Sequence, residues 1–466
     1  MRKGLPGLLC LLFLAFFTTS CTSLVSYSRM TDLARLSLAE GRFPDALTLF
    51  PETAARGRNA VLVRLERGIL LQAMGRYEES ARELEDASVR IRQFEDRAVI
   101  SASKTASQVG TLLINEGVRP YEGEDFEKIL IHAFDALNYL MRGDLEGARV
   151  EIRNAYARQT ELAEKYEKAL ARAREDNPEV SWEDSFQKAD RARYEELRKK
   201  SGDVRNIYQN AFAYYLSSLV YELGSEEDEA YIDLKKGLEA APWSREIVND
   251  LIRLSRKLNR SEDTEKYEAA FGKIDQNYGK GIDVFVIFQQ GVAPVKEELS
   301  FPIPLVRGGL AFASLPVYRF VPSADRAAEI SCGGTTRVTT TLYDIDAVAS
   351  RSLLDQFPIL FAKQVARSYI KARLTSRASK EYGTAGVIGG TLVSLFTERA
   401  DLRAWSMLPK EIQVARLFVP EGTPSLEIRS ASTGRNGRID VPEGARHLVV
   451  LCRATDAGLH LQTKAY

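Results

Sequence analysis

Up to about Tyr278 apolar residues recur at three- and four-residue intervals, and beyond it they alternate with polar ones. The chain therefore predicts a helical region followed by a strand-rich region. Within the helical region a set of residue classes returns after 34 residues: Gly41-Arg42-Phe43 with Ala46 and Phe50, then Gly75-Arg76-Tyr77 with Ser80 and Leu84. A small residue, Ala34 or Gly68, stands seven positions before each glycine and lets two helices cross closely. The glycine supplies positive φ at the helix end, and the aromatic two residues on fills the gap between helices. A third copy reads Ala136, Tyr139, Gly143-Asp144-Leu145, Ala148, Ile152 and Ala155. A fourth, weaker copy reads Leu216, Ser217, Val220, Gly224, Ala230, Leu234 and Pro242; one extra residue separates Gly224 from Ala230, so its turn must differ.

These copies resemble the tetratricopeptide (TPR) pattern, which implies stacked helical hairpins whose concave surface binds peptides or partner domains. Between the third and fourth copies, residues 160–173 and 182–200 are rich in charge and alanine and read as long exposed helices forming an antiparallel arm. Asn177-Pro178 separates them, and Ser181 with Asp184 caps the second. The charge runs, Arg198-Lys199-Lys200 included, are solvated helix faces and not a nucleic-acid surface.

In the strand-rich region, residues 283–288, 310–320 and 337–342 read as strands, and Phe301-Pro302-Ile303-Pro304 as an extended edge, because two prolines remove ladder donors. A helix is expected over residues 346–380, with Pro358 kinking it or marking a new start. Residues 383–396, which include Gly386, Gly389 and Gly390, read as a buried, closely packed helix too short to span a bilayer. Residues 414–419 with 426–430 and 438–441 with 448–452 are paired strand signals joined by two Val-Pro-Glu-Gly turns. The expected fold is multidomain: a signal peptide (1–20), an all-α TPR-like region of helical hairpins with its charged arm (21–278), and an α+β region with a small β-sandwich-like sheet (279–466).

The N-terminus assigns a location. Arg2 and Lys3, an apolar run over residues 8–17 and the small residues Thr18-Thr19-Ser20 have the order of an export signal. Phe17-Thr18-Thr19-Ser20-Cys21 resembles a bacterial lipobox, with Thr18 where leucine is usual. The resemblance implies acylation of Cys21 and a lipid-anchored protein, and Thr22 in the next position implies an outer membrane, facing the periplasm. Lys+Arg and Asp+Glu balance at 64 each, which argues against a surface that binds polyanions throughout. Cys332 and Cys452 both fall in strand-like runs, leaving two alternatives: a disulfide or two buried free thiols.

No chemistry-bearing motif stands out. The three histidines, His132, His447 and His460, have no ligand spacing, and no nucleophile elbow, phosphate loop or zinc-type cysteine pair is present, so no catalytic residue, metal or cofactor is assigned. The runs from Ala136-Leu137-Asn138 through Gly143-Asp144 to Ala148-Arg149-Val150-Glu151, and from Thr397-Glu398 through Asp401-Leu402-Arg403-Ala404-Trp405 to Leu408-Pro409, resemble a family of uncharacterised bacterial envelope lipoproteins. That resemblance implies an envelope placement and no activity. Asp401, Arg403 and Trp405 fit two readings: a surface for sugar or peptide, or an ion pair locking helix to sheet while Trp405 fills core. The expected function is a membrane-anchored adaptor that binds envelope proteins through its repeats. The alternative is glycan or ligand binding by the C-terminal region, with peptidoglycan as a partner and hydrolysis as an added activity.

Overall fold

The computed structural model describes residues 27, 29–102, 119–176, 182–304, 310–324, 326–332, 335–364 and 400–466. The helices are α1 (29–39), α2 (Phe43–Thr48), α3 (Ala60–Ala73), α4 (Tyr77–Ala102), α5 (Asp125–Arg142), α6 (Leu145–Asp176), α7 (Trp182–Ser201), α8 (Ala211–Leu223), α9 (Glu227–Ala240), α10 (Arg245–Lys257) and α11 (Ser261–Phe271). Strands begin with β1 (Ile282–Gln290), so the change from helix to strand falls where the periodicity changes.

Consecutive helices fold back through a recurring turn. Gly41, Gly75, Gly143, Ser225 and Asn259 all have left-handed φ, between 56° and 85°. In each turn this residue's N–H donates to the carbonyl three back and the next N–H to the carbonyl five back, as in Gly75 N to Gln72 O (2.9 Å) and Arg76 N to Leu71 O (2.9 Å). This pair of hydrogen bonds closes a helix end. The fourth turn corrects the sequence expectation: Gly224 keeps φ −86° and Ser225 takes the left-handed position. Ala230 then falls five residues after it, as Ala46, Ser80 and Ala148 do after their glycines. Asn259 follows Ser225 by 34 residues and marks a fifth turn beyond the four copies legible in the sequence.

The small repeat residues sit in the helix crossings. Ala34, Ala46, Ala136 and Ala148 are fully buried. A Cβ on Gly68 would lie 2.6 Å from Leu84, and Ser80 Oγ donates to the Gly68 carbonyl at 2.7 Å.

The charged arm is less free than its composition suggests. Helix α7 breaks at Asp190 (φ −156°, ψ 90°), whose Oδ1 accepts from Arg193 N (3.0 Å) and caps the second segment. Tyr194 and Leu197 are buried, and Arg193 pairs with Glu297 at 2.9 Å. Asn177, Pro178 and Ser181 lie outside the described residues.

Among the described residues the strand-rich region holds three sheets. A five-stranded sheet has the order β11 (Leu459–Ala465), β10 (His447–Ala454), β1, β7 (Glu411–Val419), β6 (Thr340–Asp344), with β1 and β10 parallel and the remaining pairs antiparallel. A four-stranded sheet has the order β5 (Thr335–Val338), β4 (Ala328–Cys332), β8 (Ser425–Ser430), β9 (Asn436–Asp440). The ribbon of β2 (Val295–Pro304) and β3 (Leu310–Arg319) stands apart and keeps Pro302 and Pro304 on an edge. The expected strand at 337–342 is two strands: the chain leaves the four-stranded sheet after Val338 and joins the five-stranded sheet at Thr340. Helix α12 (345–364) contains Pro358; residues 365–380 and 383–396 lie outside the described residues.

The five-stranded sheet is buried on both faces. One face, with Val284, Val286, Phe288, Leu417 and Val450, meets Ile330, Ile428 and Ile439 of the four-stranded sheet. The other, with Phe285, Ile287, Val414 and Leu451, belongs to the same core as the helices. The order is helices, sheet, sheet. Cys452 is buried in the inter-sheet core, while Cys332 ends β4 with Sγ 4.0 Å from Thr423 Oγ1. No disulfide joins the two, and of the alternative of two buried thiols Cys452 alone is buried, Cys332 being half-buried.

A pair of substitutions tests the backbone geometry. Gly281 (φ +93°) would place a Cβ 2.2 Å from the Val419 carbonyl, whereas Gly422 (φ +79°) would meet nothing within 4 Å. Gly422→Ala should cost about 1–2 kcal/mol in urea unfolding, the ordinary left-handed penalty. Gly281→Ala should cost clearly more, because backbone cannot move aside.

Candidate functional site

Helices α3, α5, α8 and α10, each the first of a pair, are buried nearly all round, as in α3 with Leu62, Leu65, Ile69 and Leu70. The partner helix covers one side of each. The other side, the face a repeat stack would offer to a ligand, is covered by the chain's own strand-rich region.

Two buried carboxylates make this contact specific. Glu66 on α3 accepts from Ser406 N (2.7 Å), Met407 N (2.8 Å) and the Tyr27 hydroxyl (3.1 Å). Glu127 on α5 accepts from Trp405 N (2.9 Å) and the Tyr121 hydroxyl (2.5 Å). Between them Trp405, 1% exposed, donates Nε1–H to the Leu65 carbonyl (2.9 Å) and sets its ring edge-on to Phe134. Arg403 grips Asp401 with two nitrogens and donates to the carbonyls of Arg58 (3.1 Å) and Arg119 (3.0 Å). The Asp401, Arg403 and Trp405 positions are therefore a lock between helices and sheet, and the indole is closed to ligand.

A second clasp sits under α8 and α10. Arg416 of β7, 1% exposed, pairs with Asp283 (2.5 Å), Glu222 (2.7 Å) and Asp250 (3.0 Å). Burial pushes the Asp283 carboxyl up, but Arg416 and the bond from His447 outweigh it and hold it well below the usual range. His447 Nδ1 lies 3.1 Å from Asp283.

A third contact runs along β11. His460, Gln462 and Lys464, alternate residues of this edge strand, stand against the turn glycines Gly41, Gly75 and Gly143 in order. His460 meets the Phe43 ring at 4.6 Å, Gln462 donates to the Ala73 carbonyl (2.7 Å) and receives the Tyr77 hydroxyl. The repeat glycines thus serve twice, in the turn and in the approach of a strand. Strand β11 is an addition to the strands expected from the sequence, although Leu459, Leu461, Thr463 and Ala465 alternate with its polar residues.

Several hollows remain open. One of about 380 Å³ lies between the α5 N-terminus, α6, the ribbon and α12, and two of its lysines are paired within it: Lys296 with Glu124, and Lys128 with Asp125. Another of about 280 Å³ separates α4 from α6, floored by His132, whose Nδ1 lies 2.7 Å from Glu151, and by Asp135, whose carboxyl burial and Glu151 push up to about 8. A third, about 270 Å³, adjoins a fourth of about 560 Å³, and Trp243 walls both. Among the described residues no group of three or more His, Cys, Asp or Glu side chains is placed to hold a metal ion. None of the described helices is long and apolar enough to cross a membrane. Cys21 lies outside the described residues. No protein-family model matches the chain, and no curated protein does.

The clasp makes stability depend on pH. Burial pushes the Glu66 carboxyl up from 4.5 to about 7, against the pull of its three donors. The folded state therefore holds this proton more tightly than the unfolded state, so the contribution is complete below about pH 4.5 and lost as pH rises through about 7. Urea midpoints of the unaltered chain should fall between pH 5 and 7, and Glu66→Gln should flatten some of that fall; Glu246, also raised to about 7, supplies a share of the remaining slope. An unchanged slope in Glu66→Gln would refute the assignment. Trp405→Ala should cost about 3–5 kcal/mol in the same assay, and limited proteolysis should then cut between the helical region and residues 411–466.

Proposed function

We propose that this chain is an exported lipoprotein, acylated on Cys21 and held at the outer membrane facing the periplasm, that acts as an adaptor for an envelope protein. Its hairpins are tetratricopeptide-like repeats. The observation that carries this reading is the identical turn at Gly41, Gly75, Gly143, Ser225 and Asn259, with 34 residues from the first to the second and from the fourth to the fifth. A stack of this kind presents continuous surface to a partner.

The face offered differs from the concave face that the sequence suggested. Because residues 400–466 lie against the first helices, the partner meets the row of second helices. There Val89, Val150 and Ile232, on α4, α6 and α9, are exposed, at 14, 7 and 7 residues after their turns. Steps of seven return to nearly the same side of a helix, so the three mark one outward face. The reading assigns the chain no reaction of its own.

Photo-crosslinkers placed at 89, 150 and 232 in intact cells should capture one common envelope protein, with yield falling sharply in Cys21→Ala. A crosslinker at Leu65 should capture none. Crosslinks to unrelated proteins at every position would refute the adaptor reading; unchanged membrane association of Cys21→Ala would refute the anchor alone.

A further inference from the structure

Trp243 is the exception among the tryptophans whose surroundings are described: Trp405 is sealed, but Trp243 is 50% exposed. Its backbone is nevertheless rigid. It sits in the turn from α9 to α10, where Ala241 N donates to Gly237 O (2.8 Å) and Ser244 N to Ala241 O (3.0 Å). The Ser244 hydroxyl caps α10 by accepting from Ile247 N (3.4 Å).

The chemistry of a ligand there follows from what surrounds the ring. Trp243 walls two adjoining hollows of about 270 and 560 Å³, of which the larger is within the ordinary range of small-molecule sites. Asp203, Asn206 and Gln209 stand exposed around the smaller hollow, and exposed Arg205 and half-buried Arg351 around the larger. Tyr343 lines the smaller hollow and has a buried hydroxyl without a hydrogen-bond partner. An apolar peptide would leave these polar groups unsatisfied. A phosphate ligand would need several cations to spare, but Arg351 is paired with Asp355 (3.0 Å) and Lys200 stands 3.6 Å from both Asp344 and Asp346, which leaves it Arg205 among the described lining residues. A ring with an apolar face and hydroxyls around its edge meets both demands: C–H groups stack on the indole while planar amides, carboxylate and guanidinium bond the hydroxyls.

We propose that the cleft walled by Trp243 is a saccharide site, taking a β-linked chain of pyranose rings with equatorial substituents. Equatorial substitution leaves both ring faces lined by axial C–H, the geometry an indole stacks on. The larger hollow continues the smaller past the ring, so the site accepts more than one sugar unit. This proposal stands apart from the adaptor reading, since it uses the α7–α8 and α9–α10 turns and not the second-helix face.

The test titrates the full chain with chitotetraose, β-linked and equatorial, and with maltotetraose, whose linkage is axial, by calorimetry and tryptophan fluorescence. Chitotetraose should bind saturably and about tenfold tighter than maltotetraose, and Trp243→Ala should weaken it by about tenfold or more while leaving the melting temperature unchanged, because the ring is half in water. Tyr343→Phe, with its ring and packing kept, should weaken binding less. Absence of saturation with chitotetraose, equal affinity for both sugars, or full binding by a folded Trp243→Ala would each overturn the proposal. Failed crosslinking at 89, 150 and 232 would leave it untouched.

Discussion

A helix that is buried nearly all round must be covered from two sides, and α3, α5, α8 and α10 each impose this demand. Their hairpin partners meet half of it. Strands β1 and β7 and the segment around Trp405 meet the rest, so the helices and the sheet share one continuous core. Neither region has a complete interior without the other. The lateral position of the sheet is then set by polar contacts, because apolar surface alone would tolerate sliding.

Those polar contacts are placed where error is most costly. Glu66 and Glu127 accept backbone N–H groups of consecutive residues, Trp405, Ser406 and Met407, so a shift of one position would leave buried donors and buried charge unmatched. Arg416 does the same for the sheet, satisfying carboxylates from α8, α10 and β1 at once. Such groups add little net stability over an apolar substitute. Their effect is to single out one register among many of similar apolar burial.

Much of the helical region is legible in the sequence because three of the turns use glycine, and a 34-residue glycine spacing survives in the letters. The fourth and fifth turns are not, since Ser225 and Asn259 occupy the left-handed position and neither residue announces it. Alternation locates β1, β7, β8 and β10; β11 carries the same pattern after an Asp456-Ala457-Gly458 turn, but its polar residues, His460, Gln462 and Lys464, do not announce that they face the helix turns. The ion pair at Asp401 and Arg403 and the burial of Trp405 can be weighed from the letters. What they lock onto cannot, because periodicity reveals which face is apolar and never what covers it. The Trp243 cleft gives no signal at all: its residues come from two distant turns, a strand and a helix.

The parallel pairing of β1 with β10, Asp283 against His447, joins segments far apart in the chain, and β11 follows still later. During synthesis the helices emerge long before the strands that cover them. Until those strands arrive, the inner faces of α3 and α5 remain bare apolar surface, with Glu66 and Glu127 unpartnered among it. Contacts this distant form slowly, and the interval is one in which a nascent chain is prone to stick to its neighbours. The stacking that covers the helices in the finished molecule thus leaves its unfinished form the more exposed to aggregation.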